Sequence, residues 1–225
     1  MSEGELPLVL FSLAVAALAT AVILPLGVAV AYGLARWQGA GKGLIETLLS
    51  LPLVLPPTAV GLVLLELLAR NSPVGQALDA LGLEVVFTPK AVVLASAVMA
   101  FPLLVRSARS GFEEVDPRLV AVARTLGDSR ARAFFRVTLP LAWRGVLSGT
   151  LLAFSRALGE FGATVLVAGN IPGRTQTLAL AIFHRTQLGQ DEQALRLAGI
   201  AAVIAFAAIY TTEFLADRRG ARARA

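Results

Sequence analysis

From Leu6 to Ala35 the chain carries no charged residue. A helix of about 20 apolar residues crosses the roughly 30 Å hydrocarbon core of a bilayer, and this run is long enough to cross with tilt. Pro25 and Gly27 lie inside it and are expected to kink or loosen the helix. Four more apolar stretches follow, at Thr47 to Leu68, Val85 to Val105, Leu141 to Ala168 and Leu195 to Phe214. Composition agrees, with 56% of residues hydrophobic and 16% charged, against about a quarter charged in soluble domains. The expectation is an all-α integral membrane protein of five transmembrane helices, one membrane domain over residues 1–225. MSEGELP lacks the basic region and cleavage site of a removable signal peptide, so the first helix is expected to stay in the mature chain. Between the fourth and fifth spans, Asn170 to Arg196 holds an apolar stretch, Leu178 to Phe183, too short to cross. It reads as a re-entrant or surface helix. There is no cysteine, which excludes a disulfide framework and thiolate chemistry.

Orientation follows from Lys and Arg, which accumulate in short cytoplasmic loops. With the N-terminus outside, the inward segments are Arg36 to Glu46, Arg106 to Arg144 and Asp217 to Ala225, and they hold fourteen of the twenty Lys and Arg. Five remain outside and Arg156 is intramembrane. An N-outside, C-inside arrangement of five spans is expected, and the odd number argues against two-repeat secondary transporters. The net charge of +5 does not indicate nucleic-acid binding, because the arginines flank apolar segments instead of lining one face with interleaved aromatics.

The inward loop, residues 106–144, has the punctuation of a folded helix pair. Asp116 can accept the free N–H groups at a helix start, Pro117 suits the first helical position, and Gly127 can turn left-handed just past the end. About ten helical residues result, with Leu119, Val122, Ala123 and Leu126 on one face. Alanines at 121 and 123 would let another protein approach closely. Asp128 or Ser129 can cap a second short helix that Pro140 limits. On periodicity alone the pair could equally be an amphipathic hairpin on the membrane surface; a DNA-binding helix-turn-helix fits less well.

The spacing of Gly127 with Val137, Leu139 and Pro140 resembles the cytoplasmic signature of ABC importer permeases: a Glu-Ala-Ala triplet, a glycine, then a hydrophobic-x-Leu-Pro ending. The chain departs at the triplet, where Ala121, Val122 and Ala123 stand. The resemblance implies a coupling helix docking on an ATPase, through Ala121, Val122, Ala123, Arg124, Leu126, Gly127, Asp128 and Pro140. No GxxxxGK[ST] loop is present, so ATP and its magnesium would sit in that separate subunit and the chain itself would hold no cofactor.

Arg156 and Glu160 stand one helical turn apart at membrane depth, where charges are costly and must face protein or water. A structural ion pair and a pore-lining role both fit. In the second span, Pro56 and Pro57 free backbone carbonyls and Thr58 offers a hydroxyl. Irregular backbone is tolerated in a membrane only against protein or a water-filled path, which marks these three as gate candidates; packing of a kinked helix would also explain them. Gly145 and Gly149 offer a close helix contact.

Ala157 to Ala163, Ala168 to Thr177 and Leu51 to Gly61 together resemble the molybdate permease subunit of bacterial ABC importers; sulfate and tungstate permeases share parts of these motifs. The resemblance covers nearly all five spans. It implies a type I importer permease in a multi-pass bacterial inner-membrane setting, working as a homodimer on two ABC ATPase subunits. A periplasmic oxyanion-binding protein would deliver substrate, with Asn170, Pro172, Gly173 and Arg174 as contact candidates, although a plain Gly- and Pro-rich turn also fits that segment.

Two rival classes account for less of the chain. An intramembrane enzyme needs a nucleophile with its base, a metal set or paired aspartates, and His184 and Glu66 supply none of these, so no catalytic residue or metal ligand is assigned. A membrane scaffold recruiting a cytoplasmic partner would use the Gly127 loop alone and need no binding protein.

Overall fold

The computed structural model describes residues 5–222; the side chains from Ala208 onward, Tyr210 excepted, fall outside the described residues. The end of the fifth expected span and the basic tail Asp217 to Ala225 therefore lie beyond the described side chains. The described chain is helical throughout, with short connections.

The first expected span is helix α1, Glu5–Arg36, which runs unbroken through Pro25. Gly27 serves packing: a Cβ there would lie 2.9 Å from Leu104 Cγ. The second expected span is two helices, α2 (Lys42–Val54) and α3 (Pro57–Leu68), meeting at 107°. The bend comes from the prolines. Leu55 is held extended (φ −67°, ψ 145°), as a residue before proline prefers, and Pro57 opens α3 where its missing N–H costs nothing.

A short helix α4, Pro73–Ala80, is capped by Ser72, whose Oγ accepts from the Gly75 N–H. Helix α5, Pro89–Glu113, starts four residues later than expected, behind Thr88 and Pro89, and runs on past Arg106 and Arg109. It is the central element, packed against α1, α2 and α3 and the helices of the fourth span. Phe112, Leu104, Met99 and Val92 along it are fully buried.

Helix α6 (Pro117–Thr125), α7 (Arg130–Ala133), a π-helical turn at Phe134–Thr138 and α8 (Leu139–Leu141) lead at a 72° bend into α9, Trp143–Leu158. Pro140 does not stop the second helix. The π turn admits it, with the Leu139 N–H reaching back to Phe134 O, so the ring avoids the carbonyl it would strike in a regular α-helix. The chain turns after Leu141 instead. Gly145 and Gly149 bring α9 onto α5: a Cβ on Gly145 would meet Gly111 Cα at 2.6 Å, and Ser107 Oγ donates to Gly145 O at 3.0 Å.

The fourth expected span is also interrupted. Helix α9 ends at Leu158, Gly159 to Phe161 are non-helical, and α10 covers Gly162–Val167. Helix α11, Leu178–Gln187, is the short apolar segment, buried at Leu178, Leu180 and Ala181. It packs beside α12, Asp191–Arg222. Among the described residues, α1 and α5 are continuous helices long and apolar enough to cross a membrane, and the bent pairs α2–α3 and α7–α9 qualify when each is one span.

Candidate functional site

Both interruptions meet. Helix α3 lies on α10 so closely that a Cβ on Gly61 would come within 2.8 Å of Ala163 Cα, and one on Gly162 within 2.7 Å of Pro57 Cβ. Contact this tight requires glycine on both helices. Pro56, Pro57 and Thr58 stand exposed at the corner.

Glu160 holds the other corner. Its Oε1 accepts from the Ala163 N–H at 2.8 Å, capping α10, and its Oε2 lies 2.6 Å from Arg156 Nη1. That second contact is off the hydrogen-bond line, since Oε2 has no aligned donor, and is a charge–charge attraction. Glu160 is 1% exposed, whereas the Arg156 side chain keeps 27% of its surface open. The pair forms although α9 has already ended, because the chain folds back over the break. One carboxylate thus ties the end of α9 to the start of α10, and the guanidinium is the half that reaches outward.

At the opposite end, α6 is built as its punctuation indicates. Asp116 Oδ1 accepts from the Arg118 N–H at 2.9 Å, and Gly127 sits at φ 98°. The Asp128 N–H reaches Ala123 O and the Gly127 N–H reaches Arg124 O, closing the helix end. Ser129, not Asp128, caps α7, accepting from the Arg132 N–H at 3.3 Å. Asp128 pairs with Arg132 and Arg136 at 3.7 and 3.5 Å. No residue of α6 is buried; Val122 is 56% and Leu126 84% exposed. Ala121 and Arg124 are exposed beside them, Ala123 half-buried and Pro140 exposed.

Two groups behind this hairpin are not evident from the sequence. Tyr32 packs edge-on against both Phe134 and Phe112, with ring centroids 4.9 and 5.5 Å apart, so the hairpin is seated on α1 and α5. Lys42, Glu46, Arg109 and Glu113 form an ion network: Glu46 pairs with Arg109, and Lys42 lies 3.2 Å from Glu113. The sequence signal for it is acid and base at the ends of two adjacent apolar runs, and it brings the first two basic segments to one end of the molecule.

The turn at Asn170 to Thr177 lies at the N-terminal end of α1, away from the hairpin. Thr175, fully buried, accepts from the Ile171 N–H at 3.0 Å, and Gln176 Nε2 donates to Asn170 Oδ1 at 2.9 Å. Asn170 therefore braces the turn, while Pro172, Gly173 and Arg174 are exposed. Ser12 Oγ accepts from the Leu178 N–H at 2.8 Å, fastening α11 to α1. His184 is half-buried on α11. Pro172, Gly173 and Arg174 border a cleft of about 480 Å³ with the start of α1, α11 and α12. The gate candidates, the turn and the hairpin are thus three separate places, joined by the long helices.

Set beside known proteins, the chain is 44% identical over 218 residues to the molybdenum transport system permease protein ModB of Escherichia coli K12, covering 96% of this chain and 95% of that one. It is 33% identical over 196 residues to the sulfate transport system permease protein CysT of Salmonella typhimurium, covering 87% and 71%. Its fold superposes on a chain of a bacterial alginate ABC transporter, solved in complex with an alginate pentasaccharide-bound periplasmic protein, with a TM-score of 0.74 at 15% identity, over 97% of this chain and 80% of that one. Residues 6–218 match the family model of the binding-protein-dependent transport system inner membrane component, and to that family this chain belongs.

Proposed function

We propose that this chain is the pore subunit of an ATP-driven molybdate importer, in which a separate ATPase drives uptake from a periplasmic oxyanion-binding protein. The observation that carries the coupling role is α6: a nine-residue helix capped at both ends, anchored behind, and with no residue buried in its own chain. A helix so ordered and so bare offers Arg118, Leu119, Val122 and Arg124 to a protein partner. The ion follows from the near full-length 44% identity to the molybdenum permease against 33% to the sulfate one. Tungstate stays within the same tetrahedral dianion chemistry.

The mechanism runs along α9. A push on α6 and Gly127 passes through the π turn and α8 into Trp143; α9 then carries it about 24 Å, at about 1.5 Å per residue, to the Glu160 elbow. There α10 bears on α3 at Pro57 and Gly61, so a shift of α9 moves the corner formed by Pro56, Pro57 and Thr58. Arg156 supplies positive charge beside that corner, attracting an anion without a deep site that would retain it. Five spans with the N-terminus outside place α6 on the cytoplasmic side and the Asn170 to Arg174 turn toward the binding protein. A second copy of the chain completes the pathway, since one α3–α10 corner encloses it from one side only. Two ATPase subunits then engage the two α6 helices, and ATP and magnesium stay in those subunits.

Liposomes containing the permease with its cognate ATPase and internal ATP should accumulate molybdate when the binding protein is added outside, and should not without it. Accumulation that ignores the binding protein or ATP would overturn the proposal.

A further inference from the structure

Between α1 and the hairpin lies a cleft of about 660 Å³, walled by Tyr32, Phe134 and Phe135 and rimmed by Arg124 and Arg130. Its composition is split. The walls are apolar and aromatic, with Phe135 65% exposed, and both rim charges are cationic. Among the described ion pairs, Arg132 and Arg136 share Asp128, while Arg124 and Arg130 have no carboxylate. Arg36 already stacks behind Tyr32, its Cζ 5.9 Å from the ring centroid, and adds positive potential from inside.

The cleft continues an apolar stripe. Leu18, Val22 and Leu26 are more than half exposed on α1, and Ala29, next on the same face, lines the cleft. An apolar track leading into an aromatic cleft with two unpaired arginines at its mouth matches one kind of molecule: acyl chain along α1, phosphate at the guanidiniums. We infer that this cleft holds an anionic phospholipid of the cytoplasmic leaflet, wedged between α1 and the coupling hairpin. The inference rests on the proposed orientation, which puts this end of α1 at the cytoplasmic surface. Lipid seated there would brace Phe134 and Arg124, so anionic lipid would stiffen the link between α6 and the membrane helices.

The permease with its ATPase is placed in nanodiscs of equal parts phosphatidylcholine and phosphatidylglycerol, and the lipid retained on release is measured by native mass spectrometry. Retained lipid should be enriched in phosphatidylglycerol by roughly tenfold. The Arg130→Gln variant should lose much of that enrichment and Arg130→Lys should keep part of it, which separates lost charge from lost fold. Phe135→Ser should weaken retention of both lipids. Equal retention of the two lipids by the native complex, or unchanged enrichment in the Gln variant, would overturn the inference. So would enrichment in the permease alone that disappears when the ATPase is added, since the cleft would then belong to the ATPase. Retention requires neither substrate nor ATP. Molybdate-stimulated ATPase activity in the same nanodiscs reports on the permease function separately.

Discussion

Glu160 illustrates how much one side chain can hold at membrane depth. It caps α10 and holds Arg156 by charge at once, and breaking a buried pair by removing one partner commonly costs about 3–5 kcal/mol. Glu160→Ala and Arg156→Ala should therefore both lower the melting temperature of the detergent-solubilised protein, the first by stripping the cap from α10 and the second by stranding a fully buried carboxylate. The double change Arg156→Met/Glu160→Met separates structure from transport. If the pair only fixes packing, uptake returns with stability; in the proposed mechanism stability returns in part but molybdate uptake stays low, because the guanidinium that reaches outward from the buried carboxylate is gone. Gly127 is the other decisive residue. At φ 98° with open space around it, Gly127→Ala should cost about 1–2 kcal/mol in the hairpin, and Gly127→Trp should leave ATP hydrolysis running while uptake falls. Normal uptake by Gly127→Trp would remove the coupling assignment.

At the scale of elements, the two broken helices matter more than the continuous ones. Gly61 and Gly162 allow α3 and α10 to touch backbone to backbone, so Gly61→Leu should separate them and abolish uptake while α6 still binds the ATPase, measured by co-purification. Asp116→Ala should cost about 1 kcal/mol by removing the cap of α6 and weaken that co-purification. The break at Leu55 to Pro57 and the caps of α6 are legible in the sequence because proline, aspartate and glycine act through their own backbone chemistry. The break at Glu160 is not legible: Ala157 to Thr164 contains no proline, and what interrupts it is tertiary, a carboxylate folded onto Ala163 N and α3 packed behind. The π turn around Phe134 is likewise hidden, since Pro140 reads locally as a stop and only the surrounding helices make room for it. Long apolar runs set the existence of the membrane helices, while their ends drift by several residues wherever charged side chains join a network, as Arg109 does on α5.

Across the whole molecule, the chain is a multi-pass bacterial inner-membrane permease subunit, and its chemistry is divided by position. The hairpin and most of the arginines gather at one end of α1, the braced turn at Asn170 to Arg174 sits at the other, and the α3–α10 corner lies between them. In the proposed function this layout meets a partner at each end, which is the central claim. The direct test is ATPase activity of the permease–ATPase complex in liposomes with the binding protein, on adding molybdate, tungstate or sulfate in turn. Stimulation by molybdate, shared by tungstate and absent with sulfate, is the predicted result. Stimulation by sulfate alone, or by none of the three, would contradict it.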